Sequence, residues 1–222
     1  MAARKKQATA RGTKKPVRRV AAAASKVAKA VDAADYETRD FADGAAFRAW
    51  LKKNHASSPG LWIRFAKKGA GATSITLAEA IDAALRWGWI DGQGKSVDSR
   101  YWMTKFTPRR PRSIWSKINR VSAIALIARG EMEAPGLAEV ERAKADGRWD
   151  AAYDSPKTSV VPADLAQALA AKPEAAAFFK TLNSANRYAI LWRVQTAKKP
   201  ETRARRIVQF VAMLASGQKL HT

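Results

Sequence analysis

Eight polar and cationic side chains lie at two predicted helix starts, an arrangement suited to binding an anion. One group directly precedes a helix whose expected N-cap is Ser113, and the other crowds the start of the last predicted helix. Free N–H groups and the helix dipole favour an anion at such places, so added cations are locally unfavourable unless an anion joins them. The predicted anion-binding residues are Arg109, Arg110, Arg112, Ser116, Asn119, Lys198, Arg203 and Arg206.

An equally open interpretation is that these arginines pair with the chain's own carboxylates. The expected partners are Asp91, Glu79, Asp82 and Glu201. Asp91 is also the one candidate general base, but we favour a structural ion pair between Asp91 and Arg109 or Arg110. The sequence offers Ser116 no His or Lys partner that would make it a nucleophile. No catalytic residue is therefore assigned.

The first part of the chain has a composition that cannot bury a core. Residues 1–35 carry ten Lys/Arg against two acidic residues and contain no aromatic residue. We predict a disordered basic tail over 1–35 that binds nucleic acid or another polyanion without sequence preference, and one domain over 36–222. The alternatives are a tail that only aids solubility or a processed targeting segment. The predicted nucleic-acid-binding residues are Arg4, Lys5, Lys6, Arg11, Lys14, Lys15, Arg18, Arg19, Lys26 and Lys29.

The charge and the missing cysteines narrow the possible partners. The 222-residue chain has 41 Lys/Arg against 19 Asp/Glu, a net charge of +22, so an anionic partner is expected. There is no cysteine, and the two histidines, His55 and His221, lie far apart in sequence. We therefore expect no disulfide, no metal site and no cofactor. The oligomeric state is not defined by the sequence.

The sequence also predicts a cytoplasmic location. Lys26 and Lys29 interrupt the only apolar stretch near the start of the chain, which a signal peptide would not tolerate. No run of residues approaches the length of a membrane span.

Hydrophobic spacing predicts an α+β fold. Runs over 61–65, 89–91 and 101–106 are typical of strands and predict a small antiparallel three-stranded sheet packed with helices. A helix capped by Thr76 precedes the second strand, and Ile114, Ile118, Val121 and Ala125 are expected to share one apolar face of a helix that follows the third. Helical patterns then run over 137–145, 163–171, 174–182, 185–196 and 201–215. The C-terminal half is predicted to be all helical.

Five tryptophans allow two interpretations. Beside the arginines they could form a platform on which nucleic-acid bases stack, but packing in the core is favoured for aromatic residues in short strands. These residues are Trp62, Trp87, Trp89, Trp102 and Trp115. His55 is interpreted as a surface or capping residue at a helix end.

Three segments carry a resemblance to a known family. Residues 84–91 read ALRWGWID, residues 106–119 read FTPRRPRSIWSKIN and residues 197–207 read AKKPETRARRI. In this order they resemble segments of the YdeI/OmpD-associated, bacteriocin-protection family, and the likeness extends over about residues 41–217. The resemblance implies a link to tolerance of bacteriocins or antimicrobial peptides, and it supplies no reaction and no catalytic residues.

Three functions remain open, of which we favour the first. In the first, a non-enzymatic stress-tolerance protein uses its arginines to bind an anionic ligand and its tail to bind nucleic acid. In the second, the domain is an enzyme acting on a phosphorylated or carboxylated small molecule. In the third, it is an interaction module for an acidic protein partner.

We predict that a chain beginning at Tyr36 loses most of the affinity of the full chain for duplex DNA. In a plot of the log of the affinity against the log of the salt concentration, each phosphate contact contributes a slope of about −0.9. Ten tail cations can therefore give the full chain a steep salt dependence. Fluorescence anisotropy with two unrelated duplexes across a salt series measures this. The shortened chain should keep its unfolding free energy to within about 1 kcal/mol, the size of a typical single-site effect. Equal binding by both chains would contradict the prediction.

Overall fold

A computed structural model describes residues 36–221, so the predictions made for residues 1–35 lie outside the described part. Four strands and eight helices occur there. The strands are β1 (Thr38–Arg39), β2 (Leu61–Ala66), β3 (Trp89–Ser96) and β4 (Tyr101–Pro108). The helices are α1 (Gly44–Asn54), α2 (Leu77–Arg86), α3 (Lys117–Ala128), α4 (Ala134–Ala145), α5 (Ala163–Ala170), α6 (Pro173–Thr181), α7 (Ser184–Gln195) and α8 (Pro200–Ala215). The predicted α+β class and the helical C-terminal half are confirmed.

The sheet has four strands in the order β1-β2-β4-β3, and it is mixed. The prediction of three antiparallel strands is wrong in one respect, because β1 pairs with β2 in parallel, with Thr38 opposite Trp62. β1 is only two residues long, too short to show an alternating pattern in the sequence. The other pairings, β2 with β4 and β3 with β4, are antiparallel as predicted.

Helices cover one face of the sheet. β2 alternates strictly between buried and half-buried residues, and Leu61, Ile63 and Phe65 point to the covered side. On that side α1 packs against α2, and α2 in turn contacts β3, α3 and α4. The core between these elements contains Phe47, Leu51, Leu61, Ile63, Phe65, Ala80, Ala83, Ala84, Trp89 and Phe106.

α2 can lie close to several neighbours because small side chains line its buried face. Ala80, Ala83 and Ala84 are almost fully buried there. Thr76 caps the helix as predicted, since its side chain accepts from the Glu79 N–H while Glu79 accepts from the Thr76 N–H. Helices α5 to α8 form a separate apolar core that includes Leu165, Phe179, Ile190, Phe210 and Leu214.

The predicted cap of α3 is wrong, and the apolar face of the helix is not the buried one. The helix is capped by Ser116, whose hydroxyl accepts from the Asn119 N–H at 3.1 Å, and not by Ser113. The predicted apolar face is also largely turned outward, because Ile118 and Val121 are 57% and 64% exposed. Ala123 and Leu126 face the core instead. α3 is apolar on more than one side, so periodicity alone could not choose the buried face.

The start of α4 lies directly against the end of α2. A Cβ on Gly136 would lie 2.4 Å from the Arg86 carbonyl oxygen and 2.8 Å from the Leu85 carbonyl oxygen. A Cβ on Gly88, where φ is +71°, would lie 3.0 Å from the Pro135 carbonyl oxygen. Only glycines allow the two backbones to approach this closely.

We predict that Gly136→Ala destabilises the protein by about 2 kcal/mol or more, because the clash with backbone atoms outweighs the better helix propensity of alanine. Gly130→Ala is the matched control, since Gly130 has a φ of +67° but nothing within 4 Å of an added Cβ. That control should lose only about 1 kcal/mol from its left-handed backbone. Urea unfolding measures both. Equal losses in the two variants would show that the α2–α4 contact is not tight.

Candidate anion-binding site

Arg109 is buried on the face of Trp115. It follows β4 directly, and its backbone N–H donates to the Gly88 carbonyl at 2.9 Å. The side chain is only 5% exposed, and its guanidinium carbon lies 3.6 Å from the centroid of the Trp115 ring. Nη1 donates to the Ile114 carbonyl at 3.3 Å. The indole and the β4 end thus fix the position of a buried cation.

Four N–H-bearing atoms around this cation are buried without a hydrogen-bond partner. They are Nε and Nη2 of Arg109, Nε1 of Trp115 and Nη2 of Arg148. A buried donor that lacks an acceptor costs about 1–3 kcal/mol, and more when the group is charged. A set of such donors, two of them on guanidinium groups, therefore favours an acceptor that carries negative charge.

Arg148 brings a second buried guanidinium to the same place. It lies in the turn after α4 and is 7% exposed. Its Nε donates to the Asp146 carboxylate at 2.7 and 2.8 Å, and its Nη1 donates to the Ser113 carbonyl at 2.6 Å. The positive charge of Arg148 contributes to lowering the pKa of Arg109, so the two groups are electrostatic neighbours.

Asp91 and Tyr153 complete the polar cluster. Burial, partly offset by the charge of Asp91, lowers the pKa of Arg109 to about 10, so the guanidinium is charged at neutral pH. Burial raises the pKa of Asp91, and the nearby Arg109 lowers it less. Burial and then the Asp91 charge raise the pKa of the Tyr153 phenol. Asp91, Arg109, Trp115, Arg148 and Tyr153 are called the Arg109 cluster below.

The structure brings Asp91 and Arg109 close enough to influence each other's charge, but no direct ion pair joins them among the described residues. Arg110 and Arg112 are exposed to solvent. Ser116 uses its hydroxyl as the α3 cap, and Asn119 is buried. Of the first predicted group, Arg109 is thus the residue with buried, unpartnered donors.

The second predicted group is occupied by internal contacts. Arg203 donates from Nε and Nη2 to the Asp164 carboxylate at 2.6 and 2.8 Å, and from Nη1 to the Val194 carbonyl at 2.9 Å. Hydrogen bonding by Arg203 lowers the pKa of Asp164. Arg206 donates to the Arg193 carbonyl. Lys198 is close enough to contribute to lowering the pKa of Asp146, whose first cause is its hydrogen bond with Arg148.

The carboxylates expected to pair with these arginines have other partners. Glu79 belongs to the cap of α2, and Asp82 pairs with Arg86 at 2.9 Å. Glu201 lies exposed in the first turn of α8. The carboxylate that does hold Arg203, Asp164, stands at the start of α5 and gave no signal in the sequence.

Sequence reasoning missed Arg148 and Tyr153 because both lie between α4 and α5, where no periodic pattern marks a side chain as buried. The isolated bridge between Ser116 and Tyr153 lays that segment beside Trp115.

Core packing is confirmed for four of the five tryptophans. Trp89 and Trp115 are fully buried, as core packing predicts. Trp62, Trp87 and Trp102 are half-buried, and Trp87 and Trp102 pack against the core of buried residues. His55 is the C-cap residue of α1, and its ring packs on Trp87 with centroids 4.4 Å apart, so its prediction as a capping residue is confirmed.

Residues 36–221 contain neither a group of metal-binding side chains nor a membrane-spanning helix. Within that range no three His, Asp or Glu side chains gather as a metal site would require. No helix in the same part of the chain is long and apolar enough to cross a membrane.

The fold and the site define a chain of two consecutive parts, a sheet-and-helix part followed by a helical part. Residues 39–139 match the family model described as Domain of unknown function (DUF8412). Residues 158–217 match the model of the family Bacteriocin-protection, YdeI or OmpD-Associated, so the predicted resemblance is confirmed for this part of the chain. No curated protein and no solved structure matches the chain.

The two matches divide the segments that suggested the family. Residues 197–207 lie within the bacteriocin-protection match, whereas residues 84–91 and 106–119 lie within the other match. Arg148 and Tyr153 fall between the two matched ranges. The Arg109 cluster therefore combines residues of the first part with residues of the connecting segment.

We predict that Asp91→Asn stabilises the protein at neutral pH. Because burial raises the pKa of Asp91, the folded parent binds a proton more readily than the unfolded chain and gains stability as the pH falls through that pKa. The variant has no charged carboxylate to bury at neutral pH, so its free energy of unfolding should exceed that of the parent there. This difference should shrink on acidification. Urea unfolding at pH 7 and pH 4 measures the difference.

Asp146→Asn is the matched control with the opposite sign. The pKa of Asp146 is lowered, first by its hydrogen bond with Arg148, so its carboxylate stabilises the fold at neutral pH and that stability is lost in acid. If Asp91→Asn behaves like this control, the charged Asp91 carboxylate stabilises the fold and the prediction is wrong.

Proposed function

We propose that this protein is a non-enzymatic bacteriocin or stress tolerance factor whose folded part binds an anionic ligand at the Arg109 cluster. The ligand carries a phosphate or a carboxylate, and the basic tail holds the protein to nucleic acid or another polyanion. The observation that supports this most strongly is the set of buried, unpartnered donors on Arg109, Trp115 and Arg148. The cytoplasmic location expected from the sequence stays a prediction.

The chemistry of the donors favours an oxyanion over a neutral ligand. A guanidinium presents its N–H groups as a planar fork that matches two oxygens of a phosphate or carboxylate. In the Arg109 cluster two such forks are buried, and only one of them, that of Arg148, has a carboxylate partner. An oxyanion beside Arg109 would satisfy unpartnered donors and neutralise a desolvated charge in one step.

The enzyme alternative has less support. Asp91 is the only carboxylate of the cluster, and no described side chain is arranged with it as a nucleophile and base would be. Ser116 is committed to capping α3. The alternative of an interaction module for an acidic protein would use the exposed Arg110 and Arg112, but it leaves the buried donors unexplained.

Charge bears on how protection would work. Bacteriocins and antimicrobial peptides are commonly cationic, and a chain with a net charge of +22 repels such peptides. Direct sequestration is therefore disfavoured. Under this proposal the protection is indirect, through the anionic ligand or the polyanion.

We predict that sulfate stabilises the protein more than chloride does at matched ionic strength, and that Arg109→Lys removes most of this difference. Lysine keeps the positive charge but lacks the Nε and Nη2 donors. Sulfate at ten times its dissociation constant would stabilise the parent by about 1.4 kcal/mol. Thermal melts across a sulfate series measure the effect, with chloride controlling for ionic strength.

Arg203→Ala is the matched control, because all its described donors are already paired within the protein. It should lower the melting temperature in both salts and leave the gain from sulfate intact. Sulfate also strengthens apolar burial in general, so an equal gain in the parent, Arg109→Lys and Arg203→Ala would mean that no specific anion site exists.

A further inference from the structure

One helix carries a row of apolar side chains that face solvent. Residues 36–221 contain eight large apolar side chains that are exposed, and four of them lie on α3. Single exposed apolar residues are ordinary, whereas a contiguous set marks an interaction surface. The four on α3, here called the α3 row, are Ile118, Val121, Ile124 and Ile127. The other four are spread along the chain and are Val97, Leu137, Val160 and Val208.

Helix geometry makes the side chains of the α3 row neighbours. Residues three apart on an α-helix have Cβ atoms about 5–6 Å from each other. α3 buries Asn119, Ala123 and Leu126, so one side of the helix is fixed to the protein while the row stays turned outward. At 1.5 Å per residue, the 12 residues of α3 give a helix about 18 Å long. The row is therefore a continuous apolar strip along most of one helix.

The chain around the α3 row is strongly basic. Residues 99–130 contain eight Lys/Arg and no acidic residue. Arg110 and Arg112 are exposed in the turn before α3 and form no ion pair with a carboxylate of the described residues. Lys117 and Arg129, at the two ends of the helix, have side chains that are about half exposed, although each has a carboxylate partner. The apolar strip thus lies in a region of positive charge.

We propose that the α3 row docks this protein on an anionic lipid surface, with the apolar side chains below the headgroups and the basic residues beside the headgroup phosphates. An amphipathic helix that binds in this way lies parallel to the bilayer with its apolar face about 5–10 Å deep. Its binding strength is the sum of the apolar area buried and the attraction of its cations to anionic lipids. The region of α3 supplies both contributions.

Charge and composition favour this partner over a protein. A second copy brings the same net charge of +22, which opposes association, whereas an anionic bilayer attracts that charge. Protein interfaces take most of their binding energy from a few anchors, often Trp, Tyr or Arg, that fill pockets. The α3 row contains no aromatic residue and lies on the outward side of a single helix. A fluid bilayer can close around such a convex surface.

This inference goes beyond the proposed function and does not rest on it. The α3 row and the Arg109 cluster share no residue. Binding at the Arg109 cluster is measured by melts in sulfate, whereas docking is measured with vesicles, so either result can fail while the other holds. The tail's predicted binding to polyanions stays constant, because every measurement uses the full chain.

Co-sedimentation of the full chain with lipid vesicles tests the proposal. Vesicles of phosphatidylglycerol and phosphatidylcholine in equal parts give an anionic surface, and vesicles of phosphatidylcholine alone give a neutral one. The parent should bind the anionic vesicles at least about tenfold more tightly than the neutral ones. The double variant Val121→Ser, Ile124→Ser should bind the anionic vesicles about tenfold or more weakly than the parent, because it loses apolar area and keeps its charge.

Val160→Ser with Val208→Ser is the matched control, since both valines are exposed and lie outside α3. Its affinity for the anionic vesicles should stay within about twofold of the parent. All four replaced side chains are more than half exposed, so both double variants should fold. Thermal melts check this.

The basic residues give a second comparison. Arg110→Ala with Arg112→Ala should weaken binding to the anionic vesicles about tenfold, because each cation near the surface adds attraction. Lys180→Ala with Arg205→Ala removes the same charge from exposed positions on α6 and α8. That pair should change the affinity by only about twofold, because its charges lie away from the docked face.

The absence of cysteine allows contact with lipid to be observed directly. Val121→Cys places a polarity-sensitive fluorophore on the α3 row, and Val208→Cys places one at an exposed position on α8. On anionic vesicles the label at position 121 should shift its emission to the blue, since it enters less polar surroundings. The label at position 208 should not shift. This measurement does not depend on the folding of the serine variants.

Several outcomes would overturn the proposal. Equal losses in the two serine pairs would mean that the α3 row does not contribute to binding. An unshifted label at position 121 on vesicle-bound protein would exclude contact between α3 and lipid. A shift that needs no vesicles and grows with protein concentration would assign the row to a second copy. A shift produced by polyglutamate in solution would assign it to an acidic protein partner.

Discussion

The close contact between the end of α2 and the start of α4 is the constraint on which the rest of the structure depends. Gly88 and Gly136 let two backbones meet where any side chain would separate them. Gly88 also begins the turn into β3 and accepts the backbone N–H of Arg109. The packing of the two helices therefore sets the position of the carbonyl that holds the backbone of Arg109 at the end of β4.

Burying Arg109 is costly, and the fold offsets that cost only in part. The Trp115 ring supplies a cation–π contact and the Ile114 carbonyl accepts one hydrogen bond. Asp91 contributes charge at a distance without a direct ion pair. Structural ion pairs elsewhere in the chain look different: Arg203 is fully committed to Asp164 and a carbonyl. All the donor atoms of Arg203 have partners within the protein, whereas two donor atoms of Arg109 have none. An arginine of the first kind supports the fold, and one of the second kind has donors to offer a ligand.

Periodicity predicted most of the fold, and the cluster of cations at a helix start predicted Arg109, the central residue of the candidate site. Neighbouring residues alone determine the alternation over 61–65, the strands separated by glycines and the long helical patterns. The structure contains all of these elements. β1 was missed because two residues cannot show a period. The cap of α3 was predicted three residues too early, at Ser113 instead of Ser116, because serine is a good N-cap residue at either position. Arg148 and Tyr153 could not be foreseen, since their burial is set by segments that meet only in the folded chain. For the same reason the sequence could not show that Asp164 holds Arg203.

The outward-facing row on α3 has a consequence for the whole molecule. Ile118, Val121, Ile124 and Ile127 recur every third residue and are all exposed. Apolar rows of this kind attract each other, whereas the net charge of +22 holds two molecules apart over a range that salt reduces to about 8 Å at physiological ionic strength. Added salt therefore lowers the repulsion that keeps the α3 rows of separate molecules from meeting.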